Sequence, residues 1–112
     1  MGIHVLPIIL TLAFILFDLI TGVVQAVANG ELESGKMRSG LYHKLAFIFA
    51  MILGYLCEFA CGYMELGFTI PLAIPVCVYI CLTEIVSIIE NIIKLNPELK
   101  DSKIWNLFKS AD

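Results

Sequence analysis

Residues 3–29 carry the sequence IHVLPIILTLAFILFDLITGVVQAVAN. This stretch is apolar and exceeds the about 20 residues that a helix needs to cross a bilayer. At about 100° per residue, its polar and small side chains fall within an arc of roughly 60°. They are Thr11, Asp18, Gly22, Gln25 and Asn29. Hydrocarbon offers such groups no hydrogen-bond partner, so we expect this stripe to face other helices or water.

The composition of the whole chain predicts an all-α integral membrane protein. Its 112 residues are 60% apolar with a mean hydropathy of +0.93, whereas about half apolar is usual for a soluble domain. We expect three transmembrane helices at about 3–29, 43–66 and 72–95. They form one transmembrane domain, 1–96, followed by a charged, amphipathic tail, 97–112. At about 20 residues per span, no separate extramembrane domain fits.

The basic residues predict the orientation of these spans. All seven Lys and Arg lie in or beside the first loop or after the third span, which puts them on one side of a three-span protein. The positive-inside rule then places the N-terminus outside and the C-terminus in the cytoplasm. The residues expected to set this topology are Lys36, Arg38, Lys44 and Lys94.

The tail is expected to lie at the membrane surface. Apolar residues alternate there with lysines, and Trp105 and Phe108 are the predicted anchors at the headgroups. The alternative interpretation is a charged tail that regulates the protein or contacts a partner.

Three acidic residues lie within the predicted spans. At about 1.5 Å per residue, Asp18 and Glu84 are near mid-membrane and Glu58 is towards the outer leaflet. The sequence places no base at a matching depth, so ion pairs are not expected. Two explanations remain open for how these carboxyl groups are tolerated within the membrane. Either the carboxyl groups are protonated and donate hydrogen bonds between helices, or they face water in an assembly and stay charged.

The third span repeats the polar stripe of the first. Glu84, Ser87 and Asn91 lie within about 60° of each other on a helix. These groups either hold one helix bundle together or line a pore and control the oligomeric state. The full set of candidates for pore lining or an oligomer interface is Thr11, Asp18, Gly22, Gln25, Asn29, Glu58, Glu84, Ser87 and Asn91.

The four cysteines form two pairs, each one helical turn apart. Cys57 with Cys61 and Cys77 with Cys81 are placed symmetrically about the turn between the second and third spans. A tetrathiolate metal site, disulfides and packing as small apolar residues are all open, and packing is favoured. The chain shows no nucleophile–base pair and no phosphate-binding glycine loop. We therefore predict no enzyme activity, no cofactor or metal, and no nucleic-acid partner.

Two stretches resemble the toxin secretion/phage lysis holins. Residues 17–22, FDLITG, followed by 34–44, SGKMRSGLYHK, are similar to that family's Asp-x-x-x-Gly in the first span and its Ser/Gly-rich loop ending in a base. Residues 84–91, EIVSIIEN, followed by Asn96-Pro97, resemble its Glu-x-x-Ser-Ile-Leu-x-Asn block and the proline after it. Together these stretches cover about half of the chain.

The resemblance implies a holin that self-associates in the bacterial cytoplasmic membrane and opens lesions. The partners expected on this basis are further copies of the chain, the lipid bilayer, the endolysin or large toxin that is released, and an antiholin. Two other classes remain open. One is a small proton- or cation-coupled transporter with Glu58 or Glu84 as its coupling site. The other is a structural or regulatory membrane subunit, such as an antiholin.

Overall fold

The computed structural model describes residues 5–101 and 107, and it contains three long helices. These are α1, Val5–Ala28, α2, Ser34–Tyr63, and α3, Ala73–Leu95, and a short 3-10 turn, Pro97–Asp101, follows. Each long helix is long and apolar enough to cross a membrane. No strand occurs in the described part, so the all-helical, three-span prediction is confirmed. The predicted anchors, Trp105 and Phe108, lie outside the described residues.

The three helices form a bundle in which α1 packs chiefly against α3. Thr11 meets Cys81 near one end of this pair, and Asn29 meets Lys94 near the other, so the two helices run in the same direction. The antiparallel helix α2 packs mainly on α3 and touches α1 much less. A small apolar core of Ile15, Met51, Cys77 and Ile80 joins all three helices.

The helix α2 begins at Ser34, well before the predicted start of the second span at about 43. The glycines and serines of residues 34–40 favoured a loop in the sequence, because both residue types are frequent in turns. The helix nevertheless continues through them, and Met37, Gly40 and Lys44 form one face that lines the bundle interior. With 30 residues, α2 is about 45 Å long.

The start of α3 is capped by a side chain from α2. Leu72 occupies the N-cap position and has no side-chain acceptor for the first backbone amides of the helix. Instead, the backbone N–H of the buried Ala73 donates to Glu58 Oε2 at 2.6 Å. A carboxylate is also favoured at this position by the positive end of the helix dipole. Glu58 therefore holds the α2–α3 hairpin together from the end opposite the first loop.

All four cysteines are free thiols. Cys61 and Cys77 are buried, and Cys57 and Cys81 are half-buried. The disulfide alternative is therefore not realised in this structure. Cys77 belongs to the apolar core, and the Cys81 thiol lies 3.5 Å from the Thr11 hydroxyl.

Gly54 lies at a close approach of α2 to the start of α3. A Cβ atom added at this position would lie 3.2 Å from the Cα of Ala73 and 3.3 Å from its backbone nitrogen. These are backbone atoms at the capped start of α3, so they cannot move aside as a flexible side chain would. The small residue at 54 therefore lets the two helices come into contact next to the Glu58 cap.

We expect Gly54→Val to weaken the hairpin by about 1–3 kcal/mol, the usual cost of overpacking a tight contact. Gly40→Val is the matched control, because Gly40 lies in the same helix and an added Cβ there meets nothing within 4 Å. The measurement is the free energy of unfolding in mixed micelles titrated with SDS. Equal values for the two variants would contradict the close approach at Gly54.

Candidate functional site

Polar side chains of α1 and α3 face each other inside the bundle and form what we call the polar seam. Its buried members are only 0–9% exposed. They are Thr11, Thr21, Gln25, Glu84 and Asn91. The two polar stripes seen in the sequence therefore lie against one another within a single chain.

Lys44 of α2 joins the seam near its middle. Its Nζ lies 2.7 Å from Asp18 Oδ2 and 2.8 Å from Glu84 Oε2, and the side chains of all three residues are largely buried. The prediction that no base lies at the depth of these carboxylates was therefore wrong. It failed because α2 starts at Ser34, which carries Lys44 into the bundle instead of leaving it beside the loop.

The depths of the three charged groups agree when they are measured along their own helices. Asp18 lies ten residues before the end of α1, Lys44 ten residues after the start of α2, and Glu84 eleven residues before the end of α3. At 1.5 Å per residue each is about 15–16 Å from the same end of the bundle. A lysine at this depth is paired with carboxylates and is not a surface base, so Lys44 leaves the set of residues expected to determine topology.

Asn91 completes the link between α1 and α3. Its Nδ2 donates to Asp18 Oδ1 at 2.9 Å and to Thr21 Oγ1 at 3.0 Å. The Thr21 hydroxyl in turn donates to the backbone oxygen of Asp18 at 3.2 Å. Among the described residues, no buried side-chain nitrogen or oxygen lacks a partner. The buried side-chain atoms of the seam thus have hydrogen-bond partners without a second copy of the chain.

Further polar contacts lie at the two ends of the seam. Thr11 Oγ1 donates to the backbone oxygen of Pro7 at 2.7 Å and lies 3.5 Å from the Cys81 thiol. At the other end, Asn29 Nδ2 donates to the Gln25 backbone oxygen at 2.9 Å and reaches the backbone oxygen of Lys94 at 3.5 Å. Polar contacts between α1 and α3 therefore run along most of their length.

A cavity of about 450 Å³ lies beside the charged cluster and extends to the loop end of the bundle. Its walls include the loop residues 31–33 and the charged side chains of Asp18, Lys44 and Glu84. Ser87 and Gly22 also line it, and a Cβ added at Gly22 would lie at an ordinary 3.5 Å from Asn91 Nδ2. The cavity connects the charged cluster to the side of the bundle that carries Lys36 and Lys94.

The structure brings together most, but not all, of the predicted site residues. Eight of the nine candidates lie along the seam or its cavity, whereas Glu58 caps α3 elsewhere. Sequence reasoning missed Lys44 and Thr21. Thr21 falls about 40° outside the stripe on a helical projection. Lys44 lies seven residues from both Met37 and Met51, so the three side chains share one face of a helix. Because both methionines are apolar, this spacing could have predicted that Lys44 faces the bundle interior.

Comparison with known proteins gives a family for the chain. A family model described as the bacteriophage holin family matches residues 1–109, which is nearly the whole sequence. The family consists of membrane pore-forming proteins and is not a family of enzymes. Comparisons with curated proteins and with solved structures found no match.

Proposed function

We propose that this chain, which belongs to the bacteriophage holin family, assembles with copies of itself and opens lesions in the bacterial cytoplasmic membrane. Through these lesions a phage endolysin, or in a related role a large toxin, leaves the cytoplasm, and the host cell lyses. The chain is a multi-pass membrane protein with three spanning helices, which agrees with this role.

The observation that carries the proposal is a cluster of buried polar and charged side chains at the middle of a membrane-spanning bundle. Asp18, Lys44 and Glu84 lie about 15 Å from the bundle end, where hydrocarbon would otherwise surround them. Ionisable groups at such depth are costly and usually mark a path for ions or water. In a holin, these are the side chains that an opened lesion can present to water.

The proposed orientation has the N-terminus outside and the C-terminus in the cytoplasm. Lys36 and Lys94 line the cavity described above, and Arg38 lies two residues after Lys36 in the first turns of α2. With Lys44 buried in the seam, the surface bases still gather at this end of the bundle. The positive-inside rule favours a cytoplasmic location for this end of the bundle.

The completeness of the seam favours a second candidate, an antiholin-like regulatory subunit. A chain whose buried polar side chains, in the part that the structure describes, all have partners within one copy has no need to permeabilise the membrane by itself. Such a subunit would associate with a holin and delay its action.

The proposal is tested by inducing the chain in a bacterial host with and without a cytoplasmic endolysin. We expect abrupt loss of culture turbidity only when both proteins are present, because the endolysin cannot reach peptidoglycan through an intact membrane. The chain alone should abolish viability without clearing the culture.

Two controls separate the alternatives. Endolysin alone should leave the culture turbid. A chain that leaves cells viable but delays lysis by a co-expressed holin would be an antiholin. A chain that does neither, and instead carries a substrate-dependent proton flux in vesicles, would be a transporter.

A further inference from the structure

We propose that the polar seam is an autoinhibitory contact and that a lesion opens only when α1 separates from α3. The bundle described here is then the closed form of the protein. This inference rests on the proposed function, because it concerns how the same polar residues come to face water.

The first argument comes from the outer surface of the bundle. Most of the side chains that it presents are large and apolar, among them Leu16, Phe17, Leu53 and Tyr79, which are about half exposed or more. The exposed Thr83 and Glu90 of α3 are exceptions. A ring of such closed bundles would present hydrocarbon-like faces to its centre. A water-filled lumen needs polar groups on its wall, and the polar groups that could supply it lie buried in the seam.

The second argument concerns which helices stay together when the seam opens. The pair α2–α3 is joined by the tight contact at Gly54 and by the Glu58 cap on Ala73. The helix α1 packs most extensively on α3, and this interface is the seam that has to open, whereas its contact with α2 is small and the link 29–33 connects the two along the chain. Separating α1 therefore breaks the seam but leaves the α2–α3 hairpin intact.

The third argument is the charge of the cluster. In the closed bundle, Asp18 and Glu84 share the single ammonium group of Lys44. When α1 leaves, Lys44 and Glu84 remain together on the hairpin as a one-to-one pair. Asp18 leaves with α1 and faces water as an ion, together with Thr11 and Gln25. The opening thus removes the repulsion between two carboxylates and wets a polar helix face in one step.

The experiment uses the close contact between Thr11 and Cys81. Because their side-chain oxygen and sulfur are 3.5 Å apart, Thr11→Cys puts a second thiol within reach of Cys81. An oxidant added to cells that express the variant and an endolysin joins α1 to α3 by a disulfide. We expect complete loss of lysis in the oxidised cells and its recovery when a membrane-permeant reductant is added.

Matched controls isolate the cross-link. For the wild type, and for Thr11→Cys combined with Cys81→Ala, the lysis time with oxidant is expected to equal the lysis time of the same protein without oxidant. If reduced Thr11→Cys is inactive, Thr21→Cys with Asn91→Cys provides a second cross-link, since the native side-chain atoms there are 3.0 Å apart.

The outcomes distinguish the inference from the proposed function. Lysis at an unchanged rate while mass spectrometry shows the intramolecular disulfide would overturn the autoinhibitory seam and leave the holin assignment standing. Failure of the wild-type chain to lyse cells with endolysin would overturn the proposed function, and the inference with it.

Discussion

Replacing Lys44 by methionine is expected to lower the free energy of unfolding of the bundle by about 3–5 kcal/mol, the usual cost of removing one partner from a buried ion pair. The change leaves Asp18 and Glu84 close together without the ammonium group that bridges them. Methionine has nearly the same length, so the loss of charge and not of volume dominates. The measurement is an SDS titration in mixed micelles, followed by a distance probe between α1 and α3.

Two controls establish that the cluster is responsible. Lys36→Met removes a base from an exposed position of the same helix and should change the free energy by less than about 0.5 kcal/mol. Lys44→Met combined with Asp18→Asn and Glu84→Gln should recover most of the lost stability, because neutral amides replace the unpaired carboxylates. Equal effects of Lys36→Met and Lys44→Met would show that the ion pairs contribute nothing.

Glu58→Leu is expected to destabilise the α2–α3 hairpin by about 1–3 kcal/mol, since it leaves a buried backbone N–H without an acceptor. The amide concerned is that of Ala73, which donates to Glu58 Oε2 at 2.6 Å. Hydrogen exchange should report the loss directly, with faster exchange at Ala73 in the variant than in the wild type.

Glu58→Gln is the conservative partner of this variant. A glutamine retains an oxygen that can accept from Ala73 but loses the negative charge at the positive end of α3. We expect it to retain slow exchange at Ala73 and most of the stability. If both variants lost the same amount of stability, the charge of Glu58, and not its hydrogen bond, would be what stabilises the start of α3.

The three spans could be predicted because their signal is carried by many residues at once. Length and hydropathy alone define α1 and α3, and their predicted bounds differ from the observed ones by at most one residue over the described part. The polar stripes were also visible, because Thr11, Asp18 and Gln25 recur with the helical period. What these stripes contact depends on tertiary packing, and the structure shows that they contact each other.

The cluster around Lys44 could not be predicted from the sequence, and the reason differs from that for the contacts of the polar stripes. Its recognition depends on where one helix begins, and helix boundaries follow from packing as well as from local composition. Ser34, Gly35, Ser39 and Gly40 are poor helix formers, so the local preference for a loop was real. Membrane and bundle packing outweighed it and moved Lys44 to the depth of two carboxylates.

The role of Glu58 shows a second limit of prediction from the sequence. From the sequence, a carboxylate in the outer half of a span suggested a pore or a coupling site. The structure instead uses it where Pro71 and Leu72 leave α3 without a capping side chain of its own. A cap supplied by a neighbouring helix has no spacing rule along the chain, so it is found only when the two helices are placed in space.

The unequal lengths of the helices have a consequence for the lipid around them. At 30 residues, α2 is about 9–10 Å longer than α1 or α3, which have 24 and 23 residues. Because the three helices end at the same level at the first loop, the extra length of α2 lies at its other end, where residues 59–63 extend past the start of α3 that Glu58 caps. A bilayer of longer acyl chains would cover this extra turn with hydrocarbon, whereas shorter chains would leave it among the headgroups, next to the Glu58 cap. Acyl-chain length is thus a variable to which this bundle responds through α2 first.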